Sequence, residues 1–183
     1  MTDLVPETAL GAAEPRVVTF GALTLTEDAG LALASLALRT GGTAPAPFGL
    51  ALPGPGGWAT GGGIAALWTG PGQWLVEAPG RAAEDFAAAL STEAPGASVT
   101  EQTDGWTAVE ITSAAGPAPV EALLAKLVNV DLGGFGPGRA RRTLLEHMGV
   151  LVIRRAPDRL AVLGTRSSAA SLWHALETAA RRI

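Results

Sequence analysis

The 183-residue chain contains no cysteine and no tyrosine, and only two histidines. The missing thiols exclude a disulfide framework, thiolate metal sites and a cysteine nucleophile, and they leave the redox compartment open. His147 and His174 are all the chain offers for proton transfer near neutral pH by an unperturbed side chain. No apolar run is long enough to span a bilayer. The opening stretch, MTDLVPETALGAAEPR, carries acids and prolines where a secretory leader needs a basic start and an apolar run, so the cytoplasm is the expected compartment. Metal-ligand spacing is missing too, and Gly61-Gly62-Gly63 runs into a strand-like stretch without the Lys-Ser/Thr or helix N-terminus that holds a phosphate. No cofactor of its own is expected in this chain.

What is present suffices for a core: 48% of the residues are hydrophobic, enough for one domain or two small ones. A net charge of −4 conceals a split. Residues 1–121 carry 13 acidic and 3 basic side chains, and residues 122–183 carry 4 and 10. Such polarity would steer an acidic partner, or nucleic acid, to the C-terminal part. Scattered arginines with few interleaved aromatics argue against nucleic acid.

The stretch from Ile64 to Leu90, IAALWTGPGQWLVEAPGRAAEDFAAAL, reads as strand, Gly-Pro-Gly turn, strand and helix. Trp74 and Val76 alternate onto one face, and Ala82, Phe86, Ala89 and Leu90 fall at helical spacing. The same order returns without a gap 86 positions later, from Val150 to Leu176. Pro71 lies over Pro157, Ile64 over Val150, Leu67 over Ile153, Trp74 over Leu160, Val76 over Val162, Phe86 over Leu172 and Leu90 over Leu176. Core and turn positions match and polar positions do not. The repeat is therefore one of scaffold rather than of an active site.

Around these blocks, residues 1–16 read as a flexible N-terminal arm, and 17–63 as N-terminal strands followed by a Gly/Pro-rich loop. Val17 to Thr26 and Leu31 to Arg39 suggest a hairpin, with helix as the alternative for the Ala/Leu-rich second run. The loop from Thr40 to Gly63 competes between a linker, a phosphate loop and a docking arm. Phe48, Leu50, Leu52 and Trp58 spaced along it favour extended packing against a surface. Residues 64–183 form an α+β region, divided into 64–96, the first hairpin-helix unit, and 97–183, a strand-helix followed by the terminal hairpin-helix. Trp106 to Thr112 alternates as a strand, and Pro117 opens a helix burying Val120, Leu123, Leu124 and Leu127. Arg139 to His147 is expected as a strand with charges outward, and Met148 to Ile153 as a strand buried on both faces. The last helix is expected to bury Ala169, Leu172, Trp173, Leu176, Ala180 and Ile183. Local strand pairing without βαβ alternation argues against a Rossmann sheet.

Candidates for chemistry each have a plainer reading. His174 has no nucleophile and acid around it, and Glu146 and His147, adjacent in a strand, would point to opposite faces. Asp104 before Gly105 is ordinary turn chemistry, with acceptance from a ligand amine or a pterin-like ring as the alternative. No catalytic, cofactor or metal residue is assigned. Among the tryptophans, Trp74 and Trp173 suit a core, whereas Trp58 and Trp68 are candidates for a partner interface. Arg139, Arg141, Arg142, Arg154 and Arg155 form the densest basic cluster. They suit either solvated strand faces or an acidic partner surface or anionic ligand tail.

The segments TEQTDGWTAVEITSAAGPAPVEALLAKLVNVDL, FGPGRARRTLLEHMGVLVIRR and RSSAASLWHALETAARRI, with LWTGPGQWLVEAPG before them, resemble the gamma subunit of heterotetrameric sarcosine oxidase. The likeness runs from about Ile64 to the C-terminus. This family is similar in fold to the folate-binding aminomethyltransferase, or glycine cleavage T-protein, family. The resemblance implies an α+β architecture of two intertwined small antiparallel-sheet domains. It further implies partners: alpha, beta and delta subunits, which carry FAD, FMN, NAD, tetrahydrofolate and zinc between them. That assembly oxidatively demethylates sarcosine and passes the one-carbon unit to tetrahydrofolate, with the gamma subunit supporting assembly rather than catalysis. The alternative implied is a stand-alone folate-binding protein of one-carbon metabolism. Neither nucleic acid nor a membrane is expected as a partner.

Overall fold

A computed structural model describes residues 6–183. Eleven strands and three α-helices follow one another along the described residues. They are β1 (Val17–Phe20), β2 (Leu23–Glu27), β3 (Ala32–Leu38), β4 (Trp58–Gly61), β5 (Ile64–Gly70), β6 (Gln73–Ala78), α1 (Phe86–Glu93), β7 (Ala97–Glu101), β8 (Trp106–Ser113), α2 (Pro117–Leu127), β9 (Arg139–Leu145), β10 (Met148–Ala156), β11 (Arg159–Thr165) and α3 (Ala169–Ala180). Two antiparallel sheets result, a six-stranded one in the order β1-β2-β8-β11-β10-β9 and a five-stranded one in the order β4-β5-β6-β3-β7. The chain divides into two compact units, each built on one sheet. One takes in the chain up to Ala29, Gly105–Pro137 and Thr143–Ile183; the other takes in Gly30–Asp104 and Gly138–Arg142. The α+β expectation of two intertwined antiparallel units is what the chain adopts.

The echo in the sequence is a repeat in register. In the first hairpin Ala66 faces Val76, Leu67 faces Leu75 and Trp68 faces Trp74, with a bulge between Trp68 and Gly70. In the second, 86 residues on, Val152 faces Val162, Ile153 faces Ala161 and Arg154 faces Leu160, with the bulge between Arg154 and Ala156. The bulge recurs because the turn after it has the same length and needs the same extra twist. Each hairpin continues into a helix whose equivalent residues are fully buried: Phe86 and Leu90 in α1, Leu172 and Leu176 in α3. Burying side chains of this size removes about 1.5–3 kcal/mol of apolar exposure each.

α1 starts later than the apolar spacing predicts. Asp85 caps it by accepting from the Ala88 N–H at 3.0 Å. Ala82 instead donates to the Gly30 carbonyl, so the stretch before Phe86 is a turn. α2 buries Val120, Leu123 and Leu124 as expected, but Leu127, at the helix end, is only half-buried. α3 buries the expected stripe except Ile183, which lies beyond the helix end and is 46% exposed. Of the run from Met148 to Ile153, Val150 to Ile153 are continuously buried, as in a strand covered on both faces, whereas Met148 is half-buried and Gly149 exposed beside the turn.

Two sequence expectations fail near the N-terminus. Val17 to Thr26 is not one strand: Gly21, at φ +55°, turns the chain so that β1 pairs β2. The run from Leu31 to Arg39 does form a strand, but β3 lies between β6 and β7 in the other sheet. Periodicity reports which faces are buried and is silent on which strand is the neighbour. Of the N-terminal arm, residues 1–5 lie outside the described residues. Farther along, Glu27, 2% exposed, accepts from the backbone N–H groups of Leu10 and Arg16.

The charge split along the sequence does not survive folding. Because the units are discontinuous, the six-stranded unit has 11 acidic and 8 basic side chains and the five-stranded unit 6 and 5. Net charges of −3 and −1 leave neither unit a strong field of one sign.

Candidate interaction surface

The structure gathers five of the seven residues singled out for a partner surface into the five-stranded unit. The Trp58 N–H donates to the Gly138 carbonyl at 2.8 Å and the Ala140 N–H to the Gly56 carbonyl at 3.0 Å, which pairs the strip before β4 with the start of β9. The Trp68 N–H donates to the Gly57 carbonyl at 3.1 Å. Trp58, Trp68 and the segment holding Arg139, Arg141 and Arg142 therefore share one corner, held by backbone hydrogen bonds between residues far apart in sequence.

Within that corner the tryptophans are half-buried. The Trp58 indole N–H donates to Oε2 of Glu77, a carboxylate with no exposure, at 3.2 Å. Trp68 lies directly across from Trp74, whose indole N–H donates to the Pro53 carbonyl at 2.8 Å. The Gly/Pro-rich loop packs on its own unit: Leu50 is buried, and Phe48 and Leu52 are half-buried against the same cluster. Arg81 lies over the rings of both Phe48 and Phe86, at 5.8 and 5.2 Å from their centroids. Of Gly61-Gly62-Gly63, Gly61 ends β4 and pairs with Ile64, and Gly62-Gly63 is the turn joining β4 to β5.

The arginines of β9 are different. Arg139, Arg141 and Arg142 are exposed, and none takes part in an ion pair among the described residues. β9 is an edge strand, and farther along it Leu144 is 65% exposed. No sequence signal singled out Leu144, although two leucines in succession in a strand must face opposite ways. Leu145 takes the buried side.

Arg154 and Arg155 are turned inward in the six-stranded unit. Arg154 is 3% exposed; its Nε donates to the Ala156 carbonyl at 3.0 Å, its Nη2 donates to the Pro157 carbonyl, and Glu121 lies 3.5 Å away. Burial pushes its pKa down, against the pull of Glu121 and Asp158. Where the first hairpin has Trp68, the second thus has a cation that ties its own turn. Arg155 pairs with Glu110 at 2.7 Å, and Arg159 reaches the same carboxylate at 3.5 Å.

The remaining candidates do not converge. His147, His174 and Asp104 are exposed on separate elements. Glu146 and His147 form the two-residue β9–β10 turn rather than strand positions, with Glu146 at φ +52°. No group of three or more His, Asp or Glu side chains comes together among the described residues. Among the described residues, the six-stranded unit has a pair of clefts with defined linings. One, of about 300 Å³, is lined by Phe20, Leu23, Pro119, Ala180, Arg181 and Ile183. The other, of about 410 Å³, is lined by residues 125–130 and Leu132. A pterin ring presents donors that ask for a carboxylate, and neither cleft is lined by one, so these clefts do not fit a folate. No described helix is long and apolar enough to cross a membrane.

No protein-family profile matches the chain, and no curated protein sequence does either. In fold it is a two-unit α+β protein of the aminomethyltransferase-like type. It aligns with the glycine cleavage system aminomethyltransferase T from Bartonella henselae at a TM-score of 0.60 over 89% of this chain, spanning 50% of that one. At 13% identity this likeness speaks for the fold alone. More particularly, it is similar to a chain of the heterotetrameric sarcosine oxidase from Corynebacterium sp. U-96, solved in complex with pyrrole 2-carboxylate. That match has a TM-score of 0.74 and 27% identity, over 91% of this chain and 87% of that one. The resemblance to heterotetrameric sarcosine oxidase read from the sequence therefore holds in three dimensions.

Proposed function

We propose that this chain is the non-catalytic gamma subunit of a heterotetrameric sarcosine oxidase, a cytoplasmic scaffold on which the alpha, beta and delta subunits assemble. The observation that carries the reading is the likeness to the Corynebacterium chain across about nine-tenths of both chains. Coverage that high on both sides means a partner of nearly this length, so the match is to a small chain rather than to a domain within a large one. The exposed arginines of β9 supply a surface for docking, with the tryptophans of the same corner bracing it from inside. FAD, FMN, NAD, tetrahydrofolate and zinc belong, on this reading, to the other subunits, which carry out oxidative demethylation of sarcosine and transfer of the one-carbon unit.

Co-expression with the three other subunits tests this. The chain is expected to co-purify in a flavin-coloured complex, while alone it is colourless and does not turn over sarcosine. A chain that stays apart from those subunits and is thermally stabilised by reduced folate overturns the reading in favour of a stand-alone folate-binding protein.

A further inference from the structure

We infer that the outer edge of β9, at Arg142 and Leu144, accepts a short acidic segment of a neighbouring subunit as an added antiparallel strand. The inference rests on the subunit reading and names how part of that assembly is made. The Ala140 N–H points away from β10, to the Gly56 carbonyl. Backbone groups of a strand alternate sides with a period of two, so those of Arg142 and Leu144 face the same outer side. Neither residue makes a backbone hydrogen bond outside the sheet ladder among the described residues.

The geometry for an added strand is already present. Gly57 pairs antiparallel with Arg139, covering the outer edge as far as Ala140. That strip goes no farther, because the chain turns there, the Gly57 N–H closing on the Gly54 carbonyl at 2.9 Å. Beyond it, two N–H and two carbonyl groups are left for another chain to pair.

The charge of the occupant follows from the side chains. Arg139 and Arg141 flank the edge on one face of β9 and Arg142 on the other, and none has an acidic partner among the described residues. An extended segment with carboxylates on both faces meets all three, and an apolar residue within it meets Leu144. The competing explanation is that the arginines guard an idle edge against aggregation. A guarded edge would carry charge at position 144, where the chain instead exposes a leucine by 65%.

Pro fits an edge position whose N–H faces outward, so Arg142→Pro removes the outer donor without breaking the ladder to β10, whereas Arg142→Ala removes only the charge. The full chain, wild type or variant, is co-expressed with the other three subunits, and near-UV circular dichroism of each variant checks its fold. Arg142→Ala is expected to weaken retention and its salt dependence, and Arg142→Pro to weaken retention by a further factor of about ten or more. Amide exchange at Arg142 and Leu144 is expected to slow on assembly by at least about tenfold, and this readout decides the matter if the Pro variant misfolds. Incorporation of the wild type with unprotected amides at these two positions, or full retention of a folded Arg142→Pro chain, overturns the inference and leaves the subunit reading standing. A wild-type chain that never joins the complex overturns both.

Discussion

At the scale of single residues, the tightest constraint is on Gly62. Its φ is +60°, and a Cβ added there would run into the Phe48 carbonyl oxygen, in the segment the Gly/Pro-rich loop lays against the β4–β5 turn. The neighbouring Gly63, at φ +79°, has open space around it. Gly63→Ala is therefore expected to cost about 1 kcal/mol, the left-handed penalty alone. Gly62→Ala is expected to cost about 3 kcal/mol, because backbone must also move. Urea unfolding of the two variants separates the terms, and equal losses would refute the close approach. Glu101 shows a charge at work in the same unit. Burial pulls its pKa up, but the Thr103 hydroxyl and the N–H groups of Thr103, Gln102 and Ala87 together outweigh this and hold it below the usual carboxylate range. A carboxyl so lowered contributes stability that is present above its unfolded pKa and lost as pH falls through the folded one. Glu101→Gln is accordingly expected to lower stability by about 1 kcal/mol at neutral pH, a modest figure because solvent screens the site. The difference between variant and wild type is expected to shrink as pH falls through the ordinary carboxylate range and on below it, because the folded-state carboxyl takes up its proton later than the unfolded one. Thermal melts across that range check the sign.

At the scale of elements, the two hairpin-helix blocks share register, bulge and buried helix positions, yet differ in what secures the turn. The first sets Trp68 opposite Trp74 in register; the second uses the nearly buried Arg154, which reaches the Ala156 and Pro157 carbonyls. Arg154→Ala is expected to destabilise by about 3 kcal/mol, through stranded carbonyls and lost packing of its methylene stem. By contrast, Arg141→Ala on exposed β9 is expected to change stability by less than about 0.5 kcal/mol. Denaturant titration of both variants measures the contrast. In the sequence Arg154 and Arg141 look alike, as arginines in predicted strands, because burial of a long amphipathic side chain depends on the neighbours it meets. Trp58 is harder still. Its position in the Gly/Pro-rich loop favours a partner interface, but the buried Glu77, nineteen residues away, takes its indole N–H.

At the scale of the whole molecule, residues early in the chain complete a sheet whose other strands lie between Trp106 and Thr165. β2 pairs β8 from Leu23↔Ser113 to Glu27↔Val109, and Leu23 and Leu25 have no exposure. Deleting residues 1–29 should uncover the edge of β8 and remove those side chains from the core. Each costs about 1.5–3 kcal/mol against a typical total of 5–15. The shortened chain is expected to lose the near-UV signal of Trp173 packing and to unfold without cooperativity; a cooperative transition close to wild type would contradict the β2–β8 closure.

The sequence by itself determined the strand and helix periods, the Pro and Gly turns, the gapless echo at 86 residues and the resemblance of the C-terminal two-thirds, since each is written within short windows of chain. Only the tertiary structure decided that β3 leaves its neighbour for another sheet, that the charges of the two chain halves mingle, and that Arg154 and Arg155 turn inward while Arg139, Arg141 and Arg142 stay out. Pairing across long stretches of chain adds only slowly to closure entropy, so distant strands compete on nearly equal terms with adjacent ones, and the packing of the complete sheets selects between them.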